Sequence, residues 1–228
     1  MIKFDKVTKK FVNGTMALRE VSFEVDRGDF LSIVGPSGSG KTTILRLLRQ
    51  EILPSKGKIF FKDQDLTKLS ENSIADLRRK ISAIFQDYKL LEERTVFENV
   101  AIALEVMSVK TQEILKKVEE VLREVELFPK KDFFPAQLSG GEIQRTAVAR
   151  AMVSSPEVIL ADEPTADLDP ATSWEIIGLL DKINKKEKTT IILATHDFDI
   201  VDTLKRRVIT LDKGQVISDV EKGSYESL

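Results

Sequence analysis

Gly35-Pro36-Ser37-Gly38-Ser39-Gly40-Lys41-Thr42 constrains the fold of this chain more than any other stretch. It fits the spacing G-x-x-x-x-G-K-[ST] and lies between the apolar run Phe30 to Val34, which reads as a buried strand, and a helical pattern through Ile44, Leu45, Leu47 and Leu48. Glycines at this spacing let successive backbone N–H groups converge on one anion. The start of the following helix adds unpaired donors and the positive end of its dipole. Lys41 then reaches the β and γ phosphates of a nucleotide, the Thr42 hydroxyl ligates Mg²⁺, and Thr43 joins them at the helix start.

A strand, loop and helix of this kind need a sheet around them, and the chain supplies one. Short apolar runs at Phe30 to Val34, Ile81 to Phe85, Val158 to Ala161 and Thr190 to Ala194 alternate with longer amphipathic stretches, the pattern of an α/β domain around a largely parallel sheet. Ile2 to Val25 and Lys58 to Lys62 alternate or pair across turn residues and predict an antiparallel β layer, so a mixed β-sheet is expected. Between Thr111 and Leu127 the positions Ile114, Leu115, Val118, Val121, Leu122 and Val125 recur at helical spacing. The stretch of approximately 88–155 therefore predicts a helical subdomain inserted into the α/β core.

The second part of a phosphate site follows the third apolar run. Val158-Ile159-Leu160-Ala161-Asp162-Glu163 is a strand ending in two carboxylates, and strand alternation aims neighbouring side chains in different directions. Asp162 suits a water-mediated role on Mg²⁺, and Glu163 suits a general base that polarises an attacking water. Composition narrows the remaining choices. Lys plus Arg at 35 against Asp plus Glu at 37 leaves a net charge of −2, which disfavours nucleic acid as a partner. With no cysteine and one histidine, His196, thiol catalysis and Cys- or His-cluster metal sites are excluded. No run approaches the roughly 20 apolar residues of a membrane span, and the N-terminus lacks the pattern of a signal peptide. The chain is expected to stay cytoplasmic.

Leu138-Ser139-Gly140-Gly141-Glu142, followed by Gln144-Arg145, resembles the signature sequence of the ATP-binding-cassette (ABC) ATPases. The resemblance extends over essentially the whole chain, because the phosphate loop, Gln86, the signature, Asp162-Glu163 and His196 follow one another in that family's order. It implies a P-loop NTPase core forming a single nucleotide-binding domain over 1–228, with ATP and Mg²⁺ as ligands. It further implies an ATP-dependent homodimer in which Ser139, Gly140, Gly141 and Glu142 of one copy meet the ATP held by the loop of the other. His196 matches the switch histidine at the γ phosphate. Gln86 matches a Mg²⁺ ligand that reports nucleotide state to the helical stretch. Phe11 matches the aromatic residue stacked on adenine, and Ala166-Asp167-Leu168-Asp169 matches the dimer-contact loop, where close relatives often carry Gly-Asn-Leu-Asp.

Within that family, Phe85-Gln86-Asp87-Tyr88-Lys89-Leu90-Leu91 and Arg94-Thr95-Val96-Phe97-Glu98-Asn99-Val100 are most similar to the cell-division branch, FtsE. That branch works with the integral membrane protein FtsX at the cytoplasmic face and activates cell-wall hydrolases. The alternatives are the motor of a lipoprotein-release or macrolide-exporter transporter, and a soluble ABC ATPase acting away from membranes. The apolar side chains of Tyr88 to Val100 carry the further expectation of a groove for a partner's cytoplasmic helix.

Overall fold

The computed structural model describes residues 1–221 and 223. Alternation along β1 (Ile2–Lys10) and β2 (Met16–Val25) buries Ile2, Phe4 and Val7 beside Leu18, Val21, Phe23 and Val25. A bulge at Lys6, whose φ is 47°, keeps Val7 on the buried face despite its odd spacing from Phe4. β4 (Lys56–Phe61) and the short β5 (Gln64–Asp65) extend this antiparallel sheet to the order β2-β1-β4-β5. This is the antiparallel layer that the alternation predicts.

The second sheet contains β3 (Phe30–Val34), β6 (Ile81–Ile84), β7 (Val158–Asp162), β8 (Thr190–Thr195), β9 (Arg207–Asp212) and β10 (Gln215–Val220), in the order β10-β9-β3-β8-β7-β6. Five strands run parallel, and β10 returns antiparallel on β9. Both faces of this sheet are covered, so its inner strands are continuous apolar runs. Along β7, Val158 and Leu160 pack in the core that contains the antiparallel sheet and α1 (Lys41–Leu48); Ile159 and Ala161 pack in the core on the other face. The chain is thus a three-layer α/β fold, as the sequence predicts.

Helix α2 (Glu71–Lys80) leads into β6. Between β6 and β7 come α3 (Val96–Glu105), α4 (Thr111–Glu124) and α5 (Gly140–Met152), with short 3-10 turns at Phe128–Lys130 and Pro135–Gln137. Both α3 and α5 begin with a capping box, Thr95 with Glu98 and Ser139 with Glu142. α4 stops at Glu124, short of the expected Leu127. Glu126 turns left-handed at φ 60°, and the Leu127 N–H returns to the Leu122 carbonyl at 2.8 Å. Val125 and Leu127 still reach the same core, which is why the helical spacing outruns the helix. α6 (Pro170–Glu187) and α7 (Phe198–Leu204) flank β8 in sequence. Among the described residues no helix is long and apolar enough to cross a membrane.

Most of the apolar content of Tyr88 to Val100 is spent inside the fold. Val96 is buried, Leu90 and Phe97 pack against the helical core, and Leu91 is left 43% exposed. The expected apolar groove is therefore largely filled by the protein's own packing. Asn99, fully buried, ties the preceding loop down: Nδ2 donates to the carbonyls of Leu91, Arg94 and Thr95 at 3.0, 2.9 and 3.0 Å, and Oδ1 accepts from the Leu91 N–H at 2.7 Å. Asn99→Ala removes all four bonds and strands polar groups in a partly buried loop. A loss of about 2–3 kcal/mol in unfolding free energy is expected, read from the shift in urea midpoint.

Candidate active site

The carboxyl ends of adjacent parallel strands face one cavity of about 670 Å³. β3 ends in the loop from Gly35, β8 in His196, β7 in Asp162 and Glu163, and β6 leads through Phe85 to Gln86. In-register pairing holds these ends level, with Val34 opposite Thr195, Asp162 opposite Ala194 and Ile84 opposite Ala161. Open α/β sheets bind ligands at this edge, and the volume lies in the usual range for a small-molecule site, roughly 300–1,000 Å³.

The loop is cramped on its inner side. Gly35 takes φ 146°, and a Cβ there would lie 2.1 Å from the Leu211 carbonyl oxygen; Gly40 takes φ 113°, and a Cβ would meet Leu18 Cδ2 at 2.7 Å and the Ala17 carbonyl at 2.8 Å. Only glycine fits either position. Pro36, Ser37, Gly38, Gly40, Lys41, Thr42 and Thr43 line the cavity, whereas Ser39 is buried behind it.

Three charged side chains meet where the loop faces β7 and β8. The Lys41 ammonium donates to the carbonyls of Gly35 and Pro36 at 2.8 and 3.3 Å and lies 3.5 Å from Glu163 Oε1. Glu163 Oε2 accepts the His196 backbone N–H at 3.3 Å and lies 2.9 Å from its Nδ1. The Glu163 side chain, 14% exposed and with backbone φ 47°, bridges lysine and histidine. A left-handed backbone at such a residue is a small store of strain, of the kind found at functional sites. Beside it, Thr42 Oγ1 donates to Asp162 Oδ1 at 3.0 Å. Burial pushes the Asp162 carboxyl above its ordinary range, with the Thr42 bond pulling the other way and the Glu163 charge adding to the rise. Among the described residues no cluster of three or more His, Cys, Asp or Glu is placed to hold a metal. The donor set at this corner, Thr42 hydroxyl, Gln86 amide and Asp162 carboxylate, consists of hard oxygens and fits Mg²⁺.

Not every expected residue arrives here. Phe11 is absent from the cavity lining: its N–H donates to the Thr15 carbonyl at 2.9 Å, closing the β1–β2 turn, and Lys9 Nζ sits 5.2 Å from its ring centroid. The far limb of that turn lines the cavity instead, as Thr15, Met16 and Ala17, together with Phe198 from α7. Nothing in the sequence marks these four, because tertiary packing alone brings β2 and α7 to the loop. Ser139 to Glu142 also lie outside the lining. There the Glu142 carboxylate, held low by Lys130 at 2.6 Å and by the Ser139 N–H, completes the helix cap. Ala166 does line the cavity, while Leu168 lies 3.5 Å from the place of a Gly140 Cβ and Asp169 caps α6.

The family model described as ABC transporter matches residues 18–166, from β2 through Asp162 and Glu163 to Ala166. The chain belongs to that family. Among curated relatives, the cell division ATP-binding protein FtsE of Bacillus subtilis (strain 168) is 46% identical over 100% of this chain and 99% of its own length. FtsE of Streptococcus pneumoniae serotype 2 (strain D39 / NCTC 7466) is 48% identical over 99% and 97%. The methionine import ATP-binding protein MetN of Histophilus somni (strain 129Pt) is 44% identical over 98% of this chain and 65% of its own length. Among solved structures, the ATP-binding cassette MJ0796, described as dimeric in a post-hydrolysis state bound to ADP and Pi, superposes with a TM-score of 0.89 at 34% identity, covering 99% and 100% of the two chains. The ABC protein described here is therefore an ATPase of the FtsE type. Lys41→Ala removes the point charge at the centre of its loop, so detectable MgATP binding by calorimetry should be lost while the far-UV spectrum is retained. Equal affinity in variant and parent would reject the loop as the phosphate cradle.

Proposed function

We propose that this ABC ATPase is the ATP-driven subunit of a membrane-associated complex, closing as a homodimer on two ATP molecules and opening after hydrolysis. The placement of Ser139 carries the reading. A second glycine-bearing helix start lies outside the cavity that the same chain's phosphate loop lines, as a two-fold arrangement with sites shared between copies requires. The dimeric state of the related cassette supports it.

Within each site, Lys41 leaves Glu163 to meet the β and γ phosphates; Thr42, Gln86 and Asp162 would hold Mg²⁺, which would supply charge neutralisation at the phosphates. Glu163, freed from Lys41, takes a proton from the attacking water, and His196 fixes the carboxylate while facing the γ phosphate. Ser139, Gly140, Gly141 and Glu142 of the second copy complete the phosphate contacts, and Ala166 to Asp169 carry the contact between copies.

The names of the FtsE relatives support a role in cell division, with an FtsX-like integral membrane protein receiving the motion at the cytoplasmic face and cell-wall hydrolysis as the output. The methionine-import relative supports a second reading, in which the same motor drives a transporter. Depleting the chain distinguishes them: the division reading expects unsplit daughter cells with unchanged solute uptake, and the transport reading the reverse. For the chemistry, Glu163→Gln should slow turnover by roughly 10²–10⁴-fold while ATP binding persists, and the variant should elute as a dimer with ATP on size exclusion. His196→Ala should likewise bind but not turn over. Parental rates in Glu163→Gln would assign the water to another base.

A further inference from the structure

Two glycines open α5, and they do not share a reason for being glycine. Gly140 and Gly141 are the first two residues of the helix, and neither has a left-handed backbone that would require it. Alanine is the better helix former at either place, so space has to decide. Gly140 is exposed, and a Cβ there would find Leu168 Cδ2 at 3.5 Å, an ordinary contact. Gly141 is half-buried, and a Cβ there would lie 2.5 Å from Thr172 Cγ2, closer than two carbons can pack.

The Thr172 methyl is not free to swing away. A β-branched side chain on a helix has few positions at χ1, and here the hydroxyl is already engaged. Thr172 Oγ1 donates to Asp169 Oδ2 at 2.6 Å and the Thr172 N–H to Asp169 Oδ1 at 3.1 Å, the bonds that cap α6. The same two bonds hold the Asp169 carboxyl below its ordinary range. Turning the methyl from Gly141 therefore takes the hydroxyl off Asp169. One turn further along, the two helices meet again, where Arg145 Nη1 donates to Glu175 Oε2 at 2.7 Å. Residues 141 and 145 are neighbours on one face of α5, as 172 and 175 are on α6. The start of α5 thus rests on the start of α6 at a depth that only the missing Cβ of Gly141 permits.

We propose that Thr172 is a positioning residue for the nucleotide site of the second copy: its methyl sets how closely the start of α5 sits on α6, and Gly141 is glycine in order to receive it. The inference rests on the reading that this helix start meets the ATP held by another copy, and it divides the pair. Gly140 faces outward to that copy, and Gly141 inward to its own chain. Restoring an ordinary carbon–carbon contact against a Cβ at 141 moves the helix start by about 1 Å, carrying Ser139 and Gly140 with it. A misplacement of that size in a positioned group costs on the order of 10²-fold in rate.

The test is made in the full-length Glu163→Gln chain, with the dimer dissociation constant measured by sedimentation in the presence of MgATP. Adding Gly141→Ala should weaken the dimer on the order of 10–100-fold, as one overpacked methyl does. Adding Thr172→Ser as well removes the methyl and keeps the hydroxyl for Asp169. The nearest atoms to the new Cβ are then the residue-172 Oγ at 3.7 Å and Cβ at 3.8 Å, so most of the lost affinity should return. Gly140→Ala should also weaken the dimer, with no recovery from Thr172→Ser. A Gly141→Ala dimer as tight as the starting one overturns the inference alone. So does a Gly141→Ala defect that Thr172→Ser leaves in place, which assigns Gly141 to the phosphate of the other copy. Recovery of Gly140→Ala by Thr172→Ser makes the rescue unspecific and overturns it too. A loss of dimer matched by a fall in the folded fraction, read from the urea midpoint of each chain, reduces the contact to stability and likewise overturns it. Failure of the Glu163→Gln chain itself to dimerise with MgATP overturns the dimer reading, and this inference with it.

Discussion

The parallel register of β3, β8, β7 and β6 is the constraint on which the candidate site depends. Parallel strands end on the same side of a sheet, so residues more than a hundred positions apart in sequence leave the ladder at one edge. The Glu163 N–H continues the ladder one step beyond β7 by donating to the Ala194 carbonyl at 2.9 Å, which fixes Glu163 against the end of β8 and hence against His196. A slip of one residue would turn every side chain to the opposite face. The two cores on either side of the sheet, which take alternate residues of each inner strand, oppose that slip.

Much of this architecture is legible in the sequence. β3 runs from Phe30 to Val34, and α4 begins at Thr111, where the patterns place them. Fully buried strands and strongly amphipathic helices carry their period in the chain itself. What escapes is set by tertiary context. β9 and β10 lie beyond the recognisable motifs, and the exposed β10 has little buried pattern to read. The phosphate loop, Gln86, Glu163 and His196 come together because each follows a strand. Thr15, Met16, Ala17 and Phe198 join them only through the approach of β2 and α7. Phe11 lies close in sequence to those three but on the opposite limb of the turn, and spacing alone cannot distinguish the limbs.

The charges at the loop answer one another. Lys41 is satisfied by two carbonyls and Glu163, and Glu163 by Lys41 and His196. On the proposed function, a phosphate entering the loop would take Lys41 and release one side of Glu163, the residue assigned there as the base. Asp162 is the exception, a carboxylate buried beyond what its one hydroxyl donor offsets, and a cation is what would relieve it.

The position of β6 at the end of its sheet has a consequence for solubility. An unpaired strand edge is a template for sheet-to-sheet aggregation, and proteins blunt such edges by keeping them short and flanking them with charge. β6 has four residues, and Arg49, Arg78, Lys89 and Arg150 line a recess along it. These cations set like charge along that edge, which opposes the pairing of a second copy's strand there.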